Sequence, residues 1–168
     1  MTIIQLKKHA VKLSRKLKYI PGCNYLKLID RANGEICYLS SDDYFGTDYK
    51  YDLRIIPKSK YTPNCCFIIW QWDCMSPLRA RHDAIYQFCR FYLTDKNFTG
   101  CSIEFKRDTD YPVNRDASLM AMYFLMPDKL FDKYYKEFNG AILILCNVFL
   151  LSQEVIEYRI KLRSMDNV

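Results

Sequence analysis

The stretch that decides the fold runs from residue 65 to residue 92 and reads CCFIIWQWDCMSPLRARHDAIYQFCRFY. It opens with the apolar run Cys65–Trp72, which is short and rich in β-formers and therefore predicts a buried central strand. Ser76 and Pro77 then suit the N-cap and the first position of a helix, which we expect to continue to about Thr94. This pairing of a buried strand with a following helix favours an α+β fold.

The region before this stretch, residues 24–72, is rich in strand-forming residues. Three segments are typical of strands, namely Tyr25–Ile29, Glu35–Ser40 and Tyr49–Ile56. The dipeptide Asn33-Gly34 between the first two indicates a hairpin turn. We therefore expect a small mixed or antiparallel sheet here.

The region from residue 76 to residue 165 is predicted to be mainly helical, with one edge strand at Cys101–Lys106. The predicted helices after that strand run from Pro112 to about Met126, over Leu130–Phe138, over Ala141–Leu150, and from Ser152 to about Met165. The chain of 168 residues fits a single domain, with a C-terminal helical cluster beside the sheet.

Composition indicates a globular intracellular protein. Half of the residues are apolar or aromatic, which argues against disorder. The longest apolar run, Ala141–Leu151, has about 11 residues, and a membrane span needs roughly 20. The N-terminus has no small-residue cleavage site of a secretory signal. We expect a cytoplasmic protein without a membrane partner.

The eight cysteines are expected to be free, mostly buried thiols. Cytosolic thiols stay reduced, and the sequence contains no Cys-x-x-Cys pair of the kind that binds zinc. The cysteines therefore predict neither disulfides nor a metal site.

Residues 1–22 are predicted to form a basic amphipathic helix, which runs over residues 2–20 and ends at Pro21-Gly22. One face is apolar and comprises Leu6, Ala10, Leu13, Leu17 and Ile20. The other is cationic and includes Lys7, Lys8, Lys12, Arg15 and Lys16, with His9 expected to be exposed beside them. This charge is either a solvated face or a contact surface for nucleic acid or an acidic protein.

A second stretch combines aromatic and basic residues. It comprises Tyr49, Lys50, Tyr51, Arg54, Lys58, Lys60 and Tyr61. Aromatic residues also occur at Trp70, Trp72, Tyr134 and Tyr135. Such residues anchor protein interfaces or stack on nucleic-acid bases, and the alternative is ordinary packing in the sheet.

The order of motifs resembles the ImmA/IrrE family of metallopeptidases over roughly residues 65–163. In that family a buried strand leads into a helix with His-Glu-x-x-His, a later helix carries a Glu ligand and ends in Leu-Leu-Met-Pro, and a helix opening with Val-Ser follows. Here the first helix has His82-Asp83-Ala-Ile-Tyr86, the later helix ends in Phe-Leu-Met-Pro at residues 124–127, and Leu151-Ser152 follows. The resemblance implies a zincin-like fold.

The resemblance also implies that the metal site has been lost. His82 keeps the first ligand position, Tyr86 replaces the second histidine, and Asn114 falls where the family has its carboxylate ligand. A catalytic zinc needs about three protein ligands, and a phenol and an amide are weak ones. Asp83 is one methylene shorter than the family's general base, and Asp116 lies two positions from the ligand position on another helix face.

These changes favour a pseudo-peptidase without metal or other cofactor. We expect His82 to be a core or cleft histidine that bonds to Tyr86 or Asp116. The leading interpretation is a non-catalytic domain that binds a regulatory or defence-related protein. The resemblance implies this context, because members of the ImmA/IrrE family often occur on phages and other mobile elements, and a phage-encoded protein would act in the host cytoplasm. Two alternatives remain, a nucleic-acid or nucleoprotein-binding inhibitor that uses the basic surfaces, and a residual metallopeptidase.

Overall fold

The computed structural model describes residues 1–40, 51–56, 67–94, 103–106 and 114–166. Within these residues the helices are α1 (Ile3–Lys16), α2 (Tyr25–Arg31), α3 (Pro77–Leu93), α4 (Arg115–Leu125), α5 (Asp128–Glu137), α6 (Ile142–Phe149) and α7 (Gln153–Asp166). The strands are β1 (Gly34–Leu39), β2 (Tyr51–Ile55), β3 (Phe67–Trp72) and β4 (Ile103–Lys106). The fold is mixed α+β, as predicted. None of the helices so described has the length and apolar character that a membrane crossing needs.

The four described strands form one mixed sheet in the order β1-β3-β2-β4. Strand β1 runs parallel to β3, whereas β2 runs antiparallel to both β3 and β4. The apolar run that predicted a central strand is thus β3, with neighbours on both sides, and the predicted edge strand is β4.

Two predictions before β3 are wrong. Tyr25–Ile29 is not a strand but the helix α2, because the Asn24 side chain caps it by accepting from the backbone N–H of Leu26 at 2.9 Å and its core side chains are fully buried. Asn33-Gly34 is not a hairpin turn, because Gly34 is the first residue of β1 and pairs with Phe67 of β3 in parallel.

The unit of β3 and α3 forms as the sequence predicts. Ser76 caps α3 by accepting from the backbone N–H of Arg79, and Pro77 is the first helical residue. The Phe67 ring stacks on Phe88 and Phe91 of α3, with centroid distances of 5.8 and 4.2 Å. Aromatic stacking of this kind fixes α3 across one face of the sheet.

Helix α4 lies at the centre of the molecule, between α1 and α3. Its residues from Leu119 to Leu125 are all buried, so it has no solvent-facing stripe over those turns. The helix begins at Arg115 with Asn114 as N-cap, whereas Pro112, the predicted start, lies outside the described residues.

Helix α1 is shorter than predicted and ends at Lys16, with Leu17 as its C-cap. Thr2 and Gln5 form a capping box at its start. The predicted apolar face is buried except for Ile20, which lies beyond the helix and is 67% exposed.

The cysteines are less buried than predicted. Within the described residues Cys89 is buried, Cys74 is exposed, and Cys23, Cys37 and Cys146 are half-buried, all with free thiols. Burial raises the pKa of the Cys89 thiol far above its usual range, so this group is an unreactive core residue.

Candidate functional site

His82 lies in the second turn of α3, and its Nε2 atom is buried without a hydrogen-bond partner in the described residues. The expectation that it bonds to Tyr86 or Asp116 is wrong, because those two side chains bond elsewhere. Burial lowers the pKa of His82, and the neighbouring Asp83 carboxylate opposes that effect only partly. The imidazole is therefore held in its neutral form.

Asp83, at the position of the family's general base, is tied to the scaffold. One carboxylate oxygen accepts from Gln71 Nε2 at 3.0 Å and the other from Gln87 Nε2 at 3.5 Å. Gln71 also donates to the carbonyl of Ala80 at 2.7 Å, so it joins β3 to the first turns of α3. These contacts hold Asp83 between β3 and the next turn of α3.

Tyr86 and Asn114 are brought together, as the resemblance implies for the two ligand positions. The backbone N–H of Asn114 donates to the Tyr86 hydroxyl at 3.1 Å. The side-chain oxygen of Asn114 accepts from the backbone N–H of Ala117 at 3.0 Å and so caps α4. Both side chains thus have structural roles at the junction of α3 and α4.

Asp116 has a different partner. Its Oδ2 atom lies 2.7 Å from the amino group of Met1, so it pairs with the start of α1. Of the five motif positions, the structure joins Tyr86 with Asn114, and it gives Asp83 and Asp116 other partners.

The residues present do not fit a zinc ion. A catalytic tetrahedral site would need two further protein ligands beside His82 Nε2, with water as the fourth ligand, and the positions that should supply them hold a hydrogen-bonded phenol and a capping amide. No group of three or more His, Cys, Asp or Glu side chains suited to a metal ion occurs in the part of the chain that the structure describes.

Two buried polar residues next to this site were missed by the sequence analysis. Gln71 is fully buried, and its Oε1 atom has no partner among the described residues. Arg81 is 4% exposed and donates to the carbonyl of Cys23 at 2.5 Å. The neighbouring Tyr19 is itself buried, and this burial raises the pKa of its hydroxyl to about 12 although Arg81 acts in the opposite direction. The sequence does carry a sign of Gln71, since one amide interrupts the apolar run of β3.

The cationic face of α1 remains a candidate interface. An open groove of about 490 Å³ is lined by Lys7, Lys8, Val11, Lys12 and Arg15. Lys7 is partly engaged, since its ammonium lies 3.2 Å from Asp128 and 4.7 Å from the centre of the Tyr123 ring. Lys8, Lys12, Arg15 and Lys16 are exposed. His9 is not exposed as expected but half-buried, with Nδ1 3.4 Å from the Tyr92 hydroxyl.

The second predicted surface is largely outside the described residues, which omit Tyr49, Lys50, Lys58, Lys60, Tyr61 and the side chain of Tyr51. Arg54 of β2 is described and bonds to Glu104 of β4 at 2.6–2.7 Å. Its guanidinium also lies 5.2 Å from the Trp70 ring. Trp70 is buried, and Trp72, Tyr134 and Tyr135 are half-buried, so these aromatic residues contribute to packing.

Comparisons with protein-family models, with curated proteins and with solved structures find no match to this chain. The resemblance to the ImmA/IrrE family therefore stays a prediction from the motifs of the sequence.

Proposed function

We propose that this chain is a non-catalytic, pseudo-peptidase-like domain that binds a protein partner. The observation that carries the proposal is the engagement of Asn114, whose N–H binds the Tyr86 hydroxyl and whose side chain caps α4. Both positions at which the resemblance implies metal ligands thus serve the junction of two helices. A scaffold that is maintained while its reactive positions become structural is suited to recognition.

The position of the general base supports the same proposal. A general base must lie within hydrogen-bond reach of the water that it activates. Asp83 has a short side chain, and its oxygens accept from Gln71 and Gln87. Hydrolysis would require this carboxylate to leave both amides and reach a nucleophile that no metal polarises.

The resemblance suggests what kind of protein the partner is. Relatives on phages and mobile elements act on regulators and on stress or immunity switches, so a version without metal would bind such a target without cutting it. The exposed cations of α1 supply a charged surface on which the partner could be recognised.

Metal content separates this proposal from a residual metallopeptidase. Protein purified without chelators should contain much less than one zinc ion per chain, and a chelator should leave its melting temperature unchanged. His82→Ala serves as the comparison, because loss of the one histidine at the motif should not alter zinc content. One zinc ion per chain, lost together with thermal stability on chelation, would restore the enzyme as the leading candidate.

Partner capture tests the recognition itself. The intact chain, immobilised through a C-terminal tag, should retain one recurrent protein from a lysate of the cells in which it acts. Repeated capture with no specific protein, at both low and physiological salt, would count heavily against a binding role.

Nucleic-acid binding is the second candidate, and the observation that favours it is the exposed cationic face of α1. It predicts affinity for DNA or RNA that falls steeply with salt, because each neutralised phosphate releases a counterion. Fluorescence anisotropy with a labelled duplex over a salt series measures this dependence. Absence of binding at low salt would remove the candidate.

A further inference from the structure

The outer face of α1 carries a stripe that combines apolar and cationic residues with a seven-residue period. Ile4 and Val11 are seven residues apart, and Lys8 and Arg15 are also seven residues apart. The four positions follow steps of four, three and four, so they lie on one side of the helix. The buried residues Leu6, Ala10 and Leu13 form the opposite side, so that Ile4, Lys8 and Arg15 are exposed and Val11 is half-buried.

The first apolar member of this stripe, Ile4, lies outside the core. Ile4 is 66% exposed, and it is one of the most exposed large apolar side chains in the described residues. Two β-branched residues seven positions apart can occupy the a positions of paired helices, while the d positions here hold Lys7 and Ser14. The face is therefore mixed, with apolar and polar positions side by side.

The groove on α1 runs between side chains of this one helix. Its lining residues belong to two adjacent rows, Lys7–Val11–Arg15 and Lys8–Lys12, each with a spacing of four. Rows of this spacing are the ridges of a helix surface, and the space between them receives a ridge of a neighbouring helix. Lys7 forms one wall and is held by Asp128 and Tyr123.

We propose that this stripe, Ile4–Lys8–Val11–Arg15, is the docking surface for an acidic amphipathic helix of a partner protein. The inference deepens the proposed function and rests on it. Apolar side chains of the partner pack on Ile4 and Val11, and its carboxylates pair with Lys8, Lys12 and Arg15. Recognition of this type gives a fast, salt-sensitive association and excludes helices of the wrong charge.

Charge decides between the candidate occupants. A second copy of α1 is disfavoured, because this helix contains only cationic charged residues and would oppose like charges. A nucleic-acid backbone could pair with the cations, but a phosphodiester offers nothing that packs on Ile4 and Val11. An acidic helix satisfies both kinds of residue.

The test uses a designed peptide as probe. The peptide has about three heptads, with leucine at the a positions and glutamate at the flanking ones, and the control peptide has the same composition in shuffled order. Titration calorimetry with the intact chain should detect the patterned peptide and not the shuffled one. A labelled DNA duplex forms the third arm.

Matched variants locate the binding surface. The pair Lys8→Glu and Arg15→Glu should weaken the patterned peptide at least about tenfold, since it replaces attraction by repulsion at the stripe. The pair Lys27→Glu and Lys129→Glu changes the net charge equally at exposed positions of α2 and α5, away from the stripe, and should have a much smaller effect. Ile4→Ser, at an exposed position, should weaken the peptide several-fold while the fold remains intact by circular dichroism.

Three outcomes would overturn the inference: equal binding of both peptides, equal effects of the two charge-reversed pairs, or DNA binding that exceeds peptide binding and ignores Ile4→Ser. The proposed function is tested separately by partner capture. A natural protein partner that binds the Lys8→Glu/Arg15→Glu variant as well as the wild type would leave the proposed function standing and exclude this surface.

Discussion

The backbone N–H of Asn114 donates a hydrogen bond to the hydroxyl of Tyr86, with 3.1 Å between the two heavy atoms. The N–H of an N-cap residue has no partner within its own helix, so Tyr86 satisfies a donor that α4 leaves open. The bond also shows that the side chain at position 86 reaches the N-cap of α4. Position 86 and position 114 are therefore neighbours across two helices, although 28 residues separate them.

This neighbourhood predicts that zinc binding can be restored. The double substitution Tyr86→His and Asn114→Glu would place an imidazole four residues after His82 and a carboxylate opposite it. Residues four apart share a helix face, and two imidazoles with one carboxylate are the ligands of a catalytic zinc site. We expect the double variant to bind one zinc ion per chain, measured by elemental analysis and by a rise in melting temperature with added zinc.

The single substitutions provide the control for that experiment. Each supplies only one of the two missing ligands and should bind zinc far more weakly. Adding His82→Ala to the double variant should abolish the gain. If the double variant binds zinc no better than the wild type, that result counts against the resemblance to the metallopeptidase family.

Arg159 is predicted to be the most important charged residue for stability. It is 1% exposed, pairs with Asp128, and donates to the carbonyl of Met126 at the end of α4 at 3.3 Å. Its guanidinium also lies about 5 Å from the centres of the Tyr123 and Phe131 rings. Arg159→Met should lower the free energy of unfolding by about 2–3 kcal/mol, measured by urea denaturation, because it removes the bonds but keeps much of the packing.

Arg163→Met is the matched control for that substitution. Arg163 lies one turn further along α7 and pairs with Asp132, but both side chains are substantially exposed. Exposed ion pairs contribute little, so the loss should stay below about 1 kcal/mol. Equal losses for the two variants would contradict the role given to the buried guanidinium.

His82 should make the fold sensitive to mild acid. Burial lowers its pKa in the folded state, whereas the unfolded chain has the ordinary value of about 6.5. The unfolded state therefore binds the proton first as pH falls, and stability decreases below about pH 6.5 until the pKa of the folded state is passed. Above about pH 6.5 the ring is neutral in both the folded and the unfolded state, so its titration no longer changes the free energy of unfolding.

The measurement compares urea unfolding of the wild type and of His82→Leu between about pH 7.5 and pH 5. The wild type should lose more stability over this interval, with a difference in slope of up to about 1.4 kcal/mol per pH unit. The carboxylates contribute to both proteins and cancel in the comparison. Parallel pH profiles would show that His82 protonates equally in the folded and unfolded states.

The sequence predicted best those elements whose local pattern and tertiary environment agree. The buried strand at β3 and the cap at Ser76 were correct, because a continuous apolar run and a Ser-Pro pair each have one favoured structure. Tyr25–Ile29 was wrong, since the β-forming residues of α2 are fixed by burial and by the Asn24 cap rather than by propensity. Asn24 is a common N-cap residue, so the sequence does contain a signal for the start of α2.

At the candidate site, too, some features follow from sequence motifs and others depend on tertiary contacts. The resemblance pairs positions 86 and 114 as ligand positions, and the structure places Tyr86 beside Asn114 through the contact of α3 with α4. The absence of a hydrogen-bond partner for His82 Nε2 among the described residues and the pairing of Asp116 with Met1 could not be predicted in this way. They depend on how α1 and β3 approach α3 and α4, and no local pattern encodes those distances.

Gly34 is predicted from the sequence to lie in a turn, but in the structure it is the first residue of a strand and packs against an aromatic ring. It begins β1 directly opposite Phe67, where an added Cβ atom would lie 2.1 Å from the aromatic ring. That ring is fully buried and stacked on Phe91, so it has no free space into which to move. Gly34→Ala should therefore lower the free energy of unfolding by about 3 kcal/mol, the upper part of the range for overpacking.

Gly22→Ala distinguishes this steric effect from the general cost of replacing a glycine. Gly22 has φ +74°, but a Cβ atom there would have its nearest neighbours at an ordinary 3.8 Å. Its substitution should cost only the strain of a left-handed residue, about 1 kcal/mol. In a double-mutant cycle, Phe67→Leu should recover part of the loss from Gly34→Ala, because it removes the ring atoms that the methyl group meets. Strictly additive losses at these two positions would show that Gly34 is required for a reason other than the approach of Phe67.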